Sequence, residues 1–443
     1  MPRTKMMFPL NTDRQARDRG RKSLFLPVLV WLTCLSAHAA QLPVHTQQLT
    51  VGNEIWNLQV PSGMQLELLT TDLETPRLMT FLPNGDLLIG SKSGNVYRLA
   101  PPYREPQVLV NLPDYPHSLA YRDGELLIAQ TDGLYRTAYR PGQRRIDRNE
   151  LELVAPLPAG GGHSSRSVAV GPDQRVYVSL GISGNCSNEY LDESYPIEDR
   201  RGGVLVLDES GPRVRFKPFA SGLRNPVGFD WHPESGDLYA SNNGPDHLGL
   251  DQPAEYFSRL TPGSFHGMPW YQFDGRQIQR DNCIELKPPL RASHVTVPVA
   301  TFPARNAPMG VGFVPRGALD HRFEHNAIVA FRGSWGTRPG GGLRGDPASR
   351  RPPRLMMVRF EEGKAAEVMD VIQGFQRTDG TRLAQPVGVA IGPDGALYFT
   401  SDSITEGLFR LSPRGRSNGL NTPTPGRLGS SVTVIKEADI HTR

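Results

Sequence analysis

Residues 391–399 (IGPDGALYF) decide the fold of this 443-residue chain. An apolar stretch leads into a Pro-Asp-Gly turn, and a short run rich in β-forming residues follows. Proline presets the backbone at the second position of a turn, and glycine accepts the left-handed conformation that closes it. The segment therefore predicts a β-hairpin.

The same pattern recurs along the chain. Four further copies are residues 81–89 (FLPNGDLLI), 121–128 (YRDGELLI), 170–178 (VGPDQRVYV) and 232–240 (HPESGDLYA). The gap between Gly236 and Gly395 is much longer than the other gaps between turns, and it has room for a degenerate copy formed by 309–313 and 327–331. Six copies, each the size of a four-stranded blade, predict an all-β, six-bladed β-propeller over residues 45–412. The alternative is a pair of β-sandwiches with unrelated hairpins.

Turn-forming residues support the all-β interpretation, since the chain contains 46 Gly and 40 Pro. The middle gaps exceed one blade, so we expect long loops at 181–202, 243–300 and 336–354. Insertions in repeat folds cluster on one face, often the binding face. The Ser, Thr, Gly and Pro-rich segment 413–443 is predicted to be a disordered tail.

The N-terminus is typical of a secretory signal peptide at residues 1–40, with a basic segment, an apolar run and an Ala-His-Ala cleavage site at 37–39. We therefore expect a periplasmic or secreted protein. Seven basic and two acidic side chains lie in this segment, so the net charge of +4 falls to near −1 once it is removed. That balance gives no reason to expect a nucleic-acid partner.

Two cysteines, Cys186 and Cys283, remain after cleavage. In an oxidising compartment they either pair or stay as two loop thiols, and the sequence leaves both open. The chain has no C-x-x-C-H motif, so it carries no covalent haem of that type.

Three polar stretches lie beside the repeats, at residues 160–166 (GGGHSSR), 222–228 (GLRNPVG) and 242–246 (NNGPD). In a propeller these positions converge at the mouth of the central channel. A histidine there can act as a base, an Arg-Asn pair can hold carboxylate or quinone oxygens, and a Gly-Pro turn can direct carbonyls at a hard cation. Each stretch alone is more typical of a capping residue or an ordinary turn.

Taken in order, the motifs resemble those of the soluble PQQ-dependent glucose dehydrogenases and, more closely, the L-sorbosone dehydrogenase-like branch. The resemblance covers about residues 60–411. Its motifs are residues 163–173 (HSSRSVAVGPD), 222–225 (GLRN), 243–246 (NGPD), 262–267 (PGSFHG), 307–310 (APMG) and 332–335 (RGSW).

The resemblance implies an oxidoreductase that uses pyrroloquinoline quinone (PQQ) and Ca²⁺ to oxidise a sugar or a related polyol or aldehyde. His163 is the implied general base, and Arg224 is implied both to bind PQQ and to stabilise charge on the reduced quinone. Asn225 and Arg332 are further implied PQQ contacts. The backbone carbonyls of Gly244 and Pro245 are the implied Ca²⁺ ligands. A separate electron acceptor, a cytochrome or a quinone, completes the expected cycle.

Three positions depart from the family pattern. Gln385 replaces a basic residue before the last Pro-Val, so it offers PQQ a hydrogen bond instead of an ion pair. Arg305-Asn306 stands where many relatives have a histidine. Gly162 replaces the carboxylate that precedes the histidine in the glucose branch, so we expect His163 to lack that orienting partner.

Two other functions fit a propeller, namely a Ca²⁺-dependent lactonase and a non-catalytic binding protein, because a fold does not fix a function. A lactonase would need a Glu, Asn and Asp cluster on the inner strands, and the first repeat supplies no well-placed Glu. His117 is an additional candidate for the channel mouth, with a plain loop histidine as the alternative.

Overall fold

The computed structural model describes residues 41–415. The signal peptide predicted at 1–40 and most of the tail predicted at 413–443 lie outside the described residues. Among those described, the fold contains strands and four short 3₁₀ turns at Arg148–Glu150, Ile197–Asp199, Ala292–His294 and Pro347–Ser349. None of the described segments forms an apolar helix of membrane-spanning length.

Six antiparallel four-stranded blades follow an N-terminal hairpin, which confirms the predicted all-β, six-bladed propeller. The hairpin is β1 (Val44–Val51) and β2 (Glu54–Pro61), and β3 (Met64–Thr70) comes after it. Blade 1 is β4 (Pro76–Phe81), β5 (Leu87–Ser91), β6 (Asn95–Leu99) and β7 (Gln107–Asn111). Blade 2 is β8 (Ser118–Arg122), β9 (Glu125–Gln130), β10 (Gly133–Ala138) and β11 (Glu152–Pro156).

Blade 3 is β12 (Arg166–Val170), β13 (Val176–Leu180), β14 (Gly203–Asp208) and β15 (Arg215–Ser221). Blade 4 begins with β16 (Phe229–Trp231), β17 (Leu238–Asn242) and β18 (Glu255–Leu260). An insertion then holds β19 (Ser264–Phe265), which pairs in parallel with the outer edge of blade 3, β20 (Tyr271–Phe273) and β21 (Ile278–Arg280). β22 (Ala300–Phe302) completes blade 4. Blade 5 is β23 (Pro308–Phe313), β24 (Ala327–Phe331), β25 (Arg354–Glu361) and β26 (Lys364–Ile372).

The last blade closes the ring with a strand from the start of the chain. It contains β27 (Ala384–Ile391), β28 (Leu397–Ile404) and β29 (Gly407–Pro413), and its outer strand is β3. The register pairs Leu408 with Thr70 and Leu411 with Leu66. Closure therefore depends on strands from opposite ends of the described chain.

Local turn chemistry explains why the repeats could be recognised. Gly85, Gly124, Gln174, Gly236 and Gly395 all have positive φ, between 63° and 87°. In blade 6 the Asp394 carboxylate accepts the Ala396 N–H at 3.1 Å and the Tyr398 hydroxyl at 3.0 Å. Blade 3 repeats the arrangement with Asp173 and Tyr177. Blade 5 lacks the pattern because a long segment, 314–326, connects its first two strands.

One predicted loop boundary was wrong. The segment 243–300 is not a single loop, because it contains the third strand of blade 4 and the three short strands of the insertion. Its alternating pattern was obscured by the flanking polar turns. The loops at 181–202 and 336–354 do connect second to third strands, in blades 3 and 5.

Apolar side chains fill the spaces between neighbouring blades. One cluster joins Leu88 of blade 1 to Leu126 and Ile128 of blade 2, all three inaccessible to solvent. Burial of each such side chain contributes on the order of 1.5–3 kcal/mol. The six first strands surround the channel, and a cavity of about 540 Å³ lies among their later residues.

Candidate functional site

In every blade, the start of the first strand and the end of the second strand lie at the same end of the channel, because these two strands are antiparallel neighbours. We call this end the mouth. Residues at or just before the start of a first strand, and residues just after a second strand, therefore meet there. The structure places all the sequence-predicted site residues in these positions: His163, Arg224, Asn225, Gly244, Pro245, Arg332 and Gln385. The 540 Å³ cavity lies towards the opposite end and does not include them.

His163 precedes β12 and is oriented by a backbone carbonyl. Its Nδ1 lies 2.6 Å from the Ile182 oxygen. A carbonyl can only accept, so we assign the proton to Nδ1, which leaves the Nε2 lone pair without a proton. The expectation that Gly162 leaves the ring without an orienting carboxylate holds, but the Ile182 carbonyl takes over that task.

The surroundings keep this imidazole neutral. Burial, followed by the nearby positive charge of Arg224, lowers the pKa of His163 to about 4. Arg166 is fully buried beneath it and donates to the His163 carbonyl at 2.9 Å. A neutral histidine with a free Nε2 is chemically able to accept a proton.

Asn225 lies beside His163 across Gly181. A Cβ atom added at Gly181 would lie 2.6 Å from Asn225 Oδ1 and 2.7 Å from His163 Cβ, so the absence of a side chain here permits the close approach. The Asn225 backbone is fixed by Asn242 and Asn243, whose side chains bond its N–H and its carbonyl at 3.1 Å each. The predicted base, His163, and the side-chain amide of Asn225 therefore lie next to each other at the mouth.

Arg224 is buried and already bonded within the protein. Its Nε and Nη2 donate to the Asn185 carbonyl at 3.1 Å and to Asn185 Oδ1 at 2.9 Å. Asp246 lies 3.4 Å from Nη2. Burial lowers the pKa of Arg224 to about 10, and the charge of Glu255 opposes this. The guanidinium remains charged at neutral pH.

Glu255 and Arg305 are site residues whose roles the sequence did not reveal. Glu255 is buried at the start of β18, near Arg224 and the backbone N–H groups of Arg305, Asn306 and Ala307. Burial raises its pKa well above the ordinary value. Arg305 forms an ion pair with Asp246 and donates to the Gly249 carbonyl at 2.8 Å. The Arg305-Asn306 departure from the family pattern therefore builds part of the wall of the mouth.

A second arginine cluster lies across the mouth. Arg332 Nε donates to Asp402 at 2.9 Å, and Arg77 forms an ion pair with the same carboxylate. Gln385 donates to the Arg332 carbonyl at 3.0 Å, so it positions this arginine's backbone. Arg77 and Asp402 were not predicted from the sequence. The signal available was positional, since Arg77 lies at the start of a first strand and Asp402 near the end of a second strand.

His117 does not lie among the accessible groups of the mouth. It is fully buried, with Nδ1 2.9 Å from the Arg166 carbonyl and Nε2 3.4 Å from Arg77. Burial and the charge of Arg77 lower its pKa well below the ordinary value. It is an interior residue beneath the arginine cluster.

Gly244 and Pro245 have the chemistry of a cation site. Both residues are buried, yet neither carbonyl accepts a hydrogen bond from any described residue. Carbonyl oxygens that accept no hydrogen bond from the protein are available as ligands, and Ca²⁺ is bound by backbone carbonyls. The residues present therefore fit the implied ion.

A disulfide settles the question that the two cysteines left open. Cys186 and Cys283 are bonded, with their Cα atoms 6.0 Å apart. The bond ties the 181–202 loop, and with it Asn185, to the insertion of blade 4. His247 and Asp281 lie beside the sulfurs, but a disulfide does not offer the thiolates of a metal site.

A cleft of about 470 Å³ opens on the same face, and its wall includes Ser164, the residue that follows His163. Polar residues of blades 1 to 3 line it, among them Lys92, Asp114, Tyr115, Thr131 and Ser164.

Comparisons with known proteins agree with this picture. The model of the TrAA12-like family matches residues 58–263. An uncharacterized protein of Borreliella burgdorferi is 25% identical over 359 residues, which cover 78% of this chain and 88% of that protein.

Solved structures confirm the fold. A Trichoderma reesei enzyme of carbohydrate-active family AA12 superposes with a TM-score of 0.69 in its iodide form, at 18% identity over 83% of this chain and 100% of that one. Its calcium form gives 0.67, at 17% identity over 85% and 99%. The PQQ domain of a pyranose dehydrogenase from Coprinopsis cinerea gives 0.65, at 17% identity over 81% and 97%. The chain thus resembles PQQ-dependent sugar dehydrogenases in motifs and in fold.

Proposed function

We propose that this protein is a PQQ- and Ca²⁺-dependent oxidoreductase that oxidises a sugar, or a related polyol or aldehyde, at the channel mouth. The observation that carries the proposal is His163, a neutral histidine with a free Nε2 near the positive charge of Arg224. The family match and the names of the similar solved structures, which mention PQQ, calcium and a pyranose dehydrogenase, support it.

The charges of the mouth suit an anionic cofactor. Four arginines, Arg77, Arg224, Arg305 and Arg332, lie against two carboxylates, Asp246 and Asp402, with which they form ion pairs. Burial raises the pKa of the third carboxyl group, Glu255. Arg224, Asn225 and Arg332 would hold PQQ, a tricarboxylate, and the Gly244 and Pro245 carbonyls would hold Ca²⁺. Bound PQQ supplies a quinone that accepts the hydride.

The protein's own residues would perform the proton chemistry. His163 Nε2 takes the proton of the substrate hydroxyl while Ile182 keeps the ring in place. Arg224 would help to hold PQQ, and its positive charge would favour the negatively charged, reduced cofactor. The 470 Å³ cleft offers hydroxyl, carboxylate and ammonium groups to a sugar.

The inner strands argue against a metal-dependent lactonase. Among the six first strands, all of them described, Asp230 is the only acidic residue. Its two oxygens accept the backbone N–H groups of Trp231 and Phe313 at 2.8 and 2.7 Å. These six strands therefore hold no acidic cluster for a catalytic ion.

Export and a separate acceptor complete the proposal. The Ala-His-Ala site and the disulfide support a periplasmic or secreted location. Electrons would pass to another molecule, a cytochrome or a quinone.

Reconstitution with PQQ and Ca²⁺ tests the function. We expect reduction of a dye acceptor with at least one substrate from a panel of aldoses, sorbosone and sugar alcohols, and only when both additions are present. His163→Ala should lower kcat by at least about 100-fold and retain PQQ binding measured by absorbance titration. His321→Ala, at the opposite end of the channel, is the matched control and should keep full activity. Absence of PQQ binding and of turnover would overturn the proposal.

A further inference from the structure

A surface loop beside the mouth has an unusual charge. Residues 332–354, which we call the arginine loop, contain six arginines and a single acid, Asp346. In the rest of the described chain, 41–331 and 355–415, acids outnumber lysine and arginine. Asp402, Asp251 and Asp370 pair with Arg332, with Arg338 and Arg351, and with Arg354, the first residue of β25. Arg344 and Arg350 have no acidic partner among residues 41–415, so the segment keeps a net positive charge.

The arginine loop has a defined shape. Thr337 Oγ1 donates to the Gly342 and Arg344 carbonyls at 3.0 and 2.8 Å. Asp346 caps the short 3₁₀ turn by accepting the Ala348 N–H at 2.9 Å, so this acid is engaged within the loop. Ser349 Oγ accepts the Arg338 N–H at 2.9 Å. A surface that is ordered in advance binds a partner at a lower entropic cost.

The arginine loop also joins the mouth to the outer surface. Its first residue, Arg332, bonds Asp402 within the mouth. Further along, Gly341 packs so closely on Gly249 and Leu250 that an added Cβ would lie 2.9 Å from the Gly249 carbonyl carbon. That backbone belongs to the connection that carries the two candidate Ca²⁺ ligands. A protein bound on this loop would sit at the rim of the redox site.

Exposed apolar groups accompany the charge. Trp335 is 51% exposed and Leu343 is 72% exposed, although both are large hydrophobic residues. Arg338 and Arg351 share Asp251 at 3.3 and 2.5 Å, which holds them at fixed positions. Arginine and tryptophan are enriched at the energetic centres of protein interfaces.

The loop that flanks the mouth on the other side of blade 4 has the reverse charge. The 181–202 loop of blade 3 contains five acids, Glu189, Asp192, Glu193, Glu198 and Asp199, and two arginines. An acidic partner would be repelled there and attracted to blade 5, so its orientation would be set.

We propose that the arginine loop docks an acidic, one-electron haem protein that accepts the electrons of the reaction. The inference rests on the proposed function, because it assumes that sugar oxidation delivers electrons at the mouth. Oxidation of one hydroxyl to a carbonyl releases two electrons and two protons. Two ferric haems take one electron each, and the protons pass to water.

Binding is tested first on the cofactor-free protein, so that the result does not depend on turnover. The probes are cytochrome c, which is basic, and its succinylated form, which keeps the haem but is acidic. We expect the succinylated form to bind more tightly. Its affinity should fall at least about tenfold as the ionic strength rises from about 0.01 to about 1 M, where the Debye length shortens from about 30 to about 3 Å.

Charge reversal locates the site. Arg338→Glu with Arg344→Glu should weaken binding of the succinylated form at least about tenfold and slow its reduction by the reconstituted enzyme, while the rate with a small dye stays the same. Arg213→Glu with Arg215→Glu is the matched control, since both arginines are exposed on the far side of blade 3 and should leave binding unchanged.

Equal effects of the two double variants, or tighter binding of unmodified cytochrome c, would overturn the docking site. Binding of phosphatidylglycerol vesicles through the same arginines, without binding of the acidic protein, would also overturn it and assign the loop to a membrane surface. Loss of dye activity with intact, loop-dependent binding would instead refute the sugar oxidation and leave the surface standing.

Discussion

Three features of its surroundings determine the chemistry of His163. The Ile182 carbonyl fixes the ring, burial removes water, and Arg224 adds a positive charge nearby. Each of the last two disfavours the imidazolium, so the base is ready at neutral pH. At pH values above 6.5, the ordinary pKa of histidine, the neutral His163 ring contributes to the stability of the folded protein. That contribution is lost as the pH falls from about 6.5 towards about 4, because protonation is less favourable in the folded than in the unfolded state.

This environment predicts the titration of His163. In the cofactor-free protein, the Cε1–H resonance that disappears in His163→Gln should titrate with a midpoint near 4. Arg224→Gln should raise that midpoint, because a positive neighbour is removed. Arg213→Gln, on the exposed surface far from the mouth, should leave it unchanged. A midpoint near 6.5 in the parent protein would contradict the burial of this ring.

Gly181 predicts a steric test of the site. Gly181→Ala places a methyl group 2.6 Å from Asn225 Oδ1, so the amide and His163 must separate. We expect at least about a tenfold loss in kcat and a weaker PQQ titration, with the melting temperature lowered by only a few degrees. Gly211→Ala, where the nearest atom would be 3.9 Å away, should change neither quantity.

At the scale of single residues, the sequence predicted those site residues whose position depends on neighbours along the chain. His163, Arg224 and Asn225 lie beside hairpin turns, so their position at strand ends followed from the repeat. Arg77 and Asp402 form an ion pair across 325 positions, and Glu255 lies near backbone groups of residues 305–307, beyond the insertion. No local pattern reports such pairings, because the ring closure and the blade 4 insertion create them.

At the scale of elements, five hairpins could be predicted because their turn residues take the left-handed backbone. The degenerate fifth blade was also located correctly, although the long segment 314–326 separates its first two strands. The third strand of blade 4, β18, lies within the segment 243–300 that was predicted to be a loop. Short strands bounded by Asn, Gly and Pro have too little pattern of their own to be separated from their connections.

The disulfide links two elements of the site, and its removal should have two separable effects. Cys186→Ser with Cys283→Ser should lower the free energy of unfolding by about 2–4 kcal/mol. It should also weaken PQQ binding several-fold, because Asn185 is no longer anchored under Arg224. Thermal unfolding and a PQQ titration measure these two quantities.

Asn185→Ala serves as the comparison for that pair. It should reproduce the loss of PQQ affinity while it keeps most of the stability, since the covalent link is intact. If the double serine variant binds PQQ as well as the parent protein does, the disulfide has no part in positioning Arg224.

For the whole molecule, the ligands should act as a structural link between blades. The residues that would bind PQQ and Ca²⁺ lie in the connection between blades 3 and 4, in blade 4 and in blade 5. The loaded protein should therefore resist unfolding more than the empty one. At ligand concentrations of about 100 times Kd, we expect a gain of about 2.7 kcal/mol, seen as a higher melting temperature. Chelation of Ca²⁺ should reverse part of the gain. An unchanged melting temperature with both ligands present would contradict the site.

The way the ring closes sets an order on its assembly. β3 leaves the ribosome early, yet its partner β29 ends at Pro413, near the end of the described chain. Until that strand is available, blade 6 has an open edge and β3 has no partner, which is the state in which strands pair wrongly. A propeller of this kind cannot close its ring until β29 has been synthesised. The chain must stay protected and open until its last blade has emerged, which is also the state in which a polypeptide can be threaded through a narrow translocation channel.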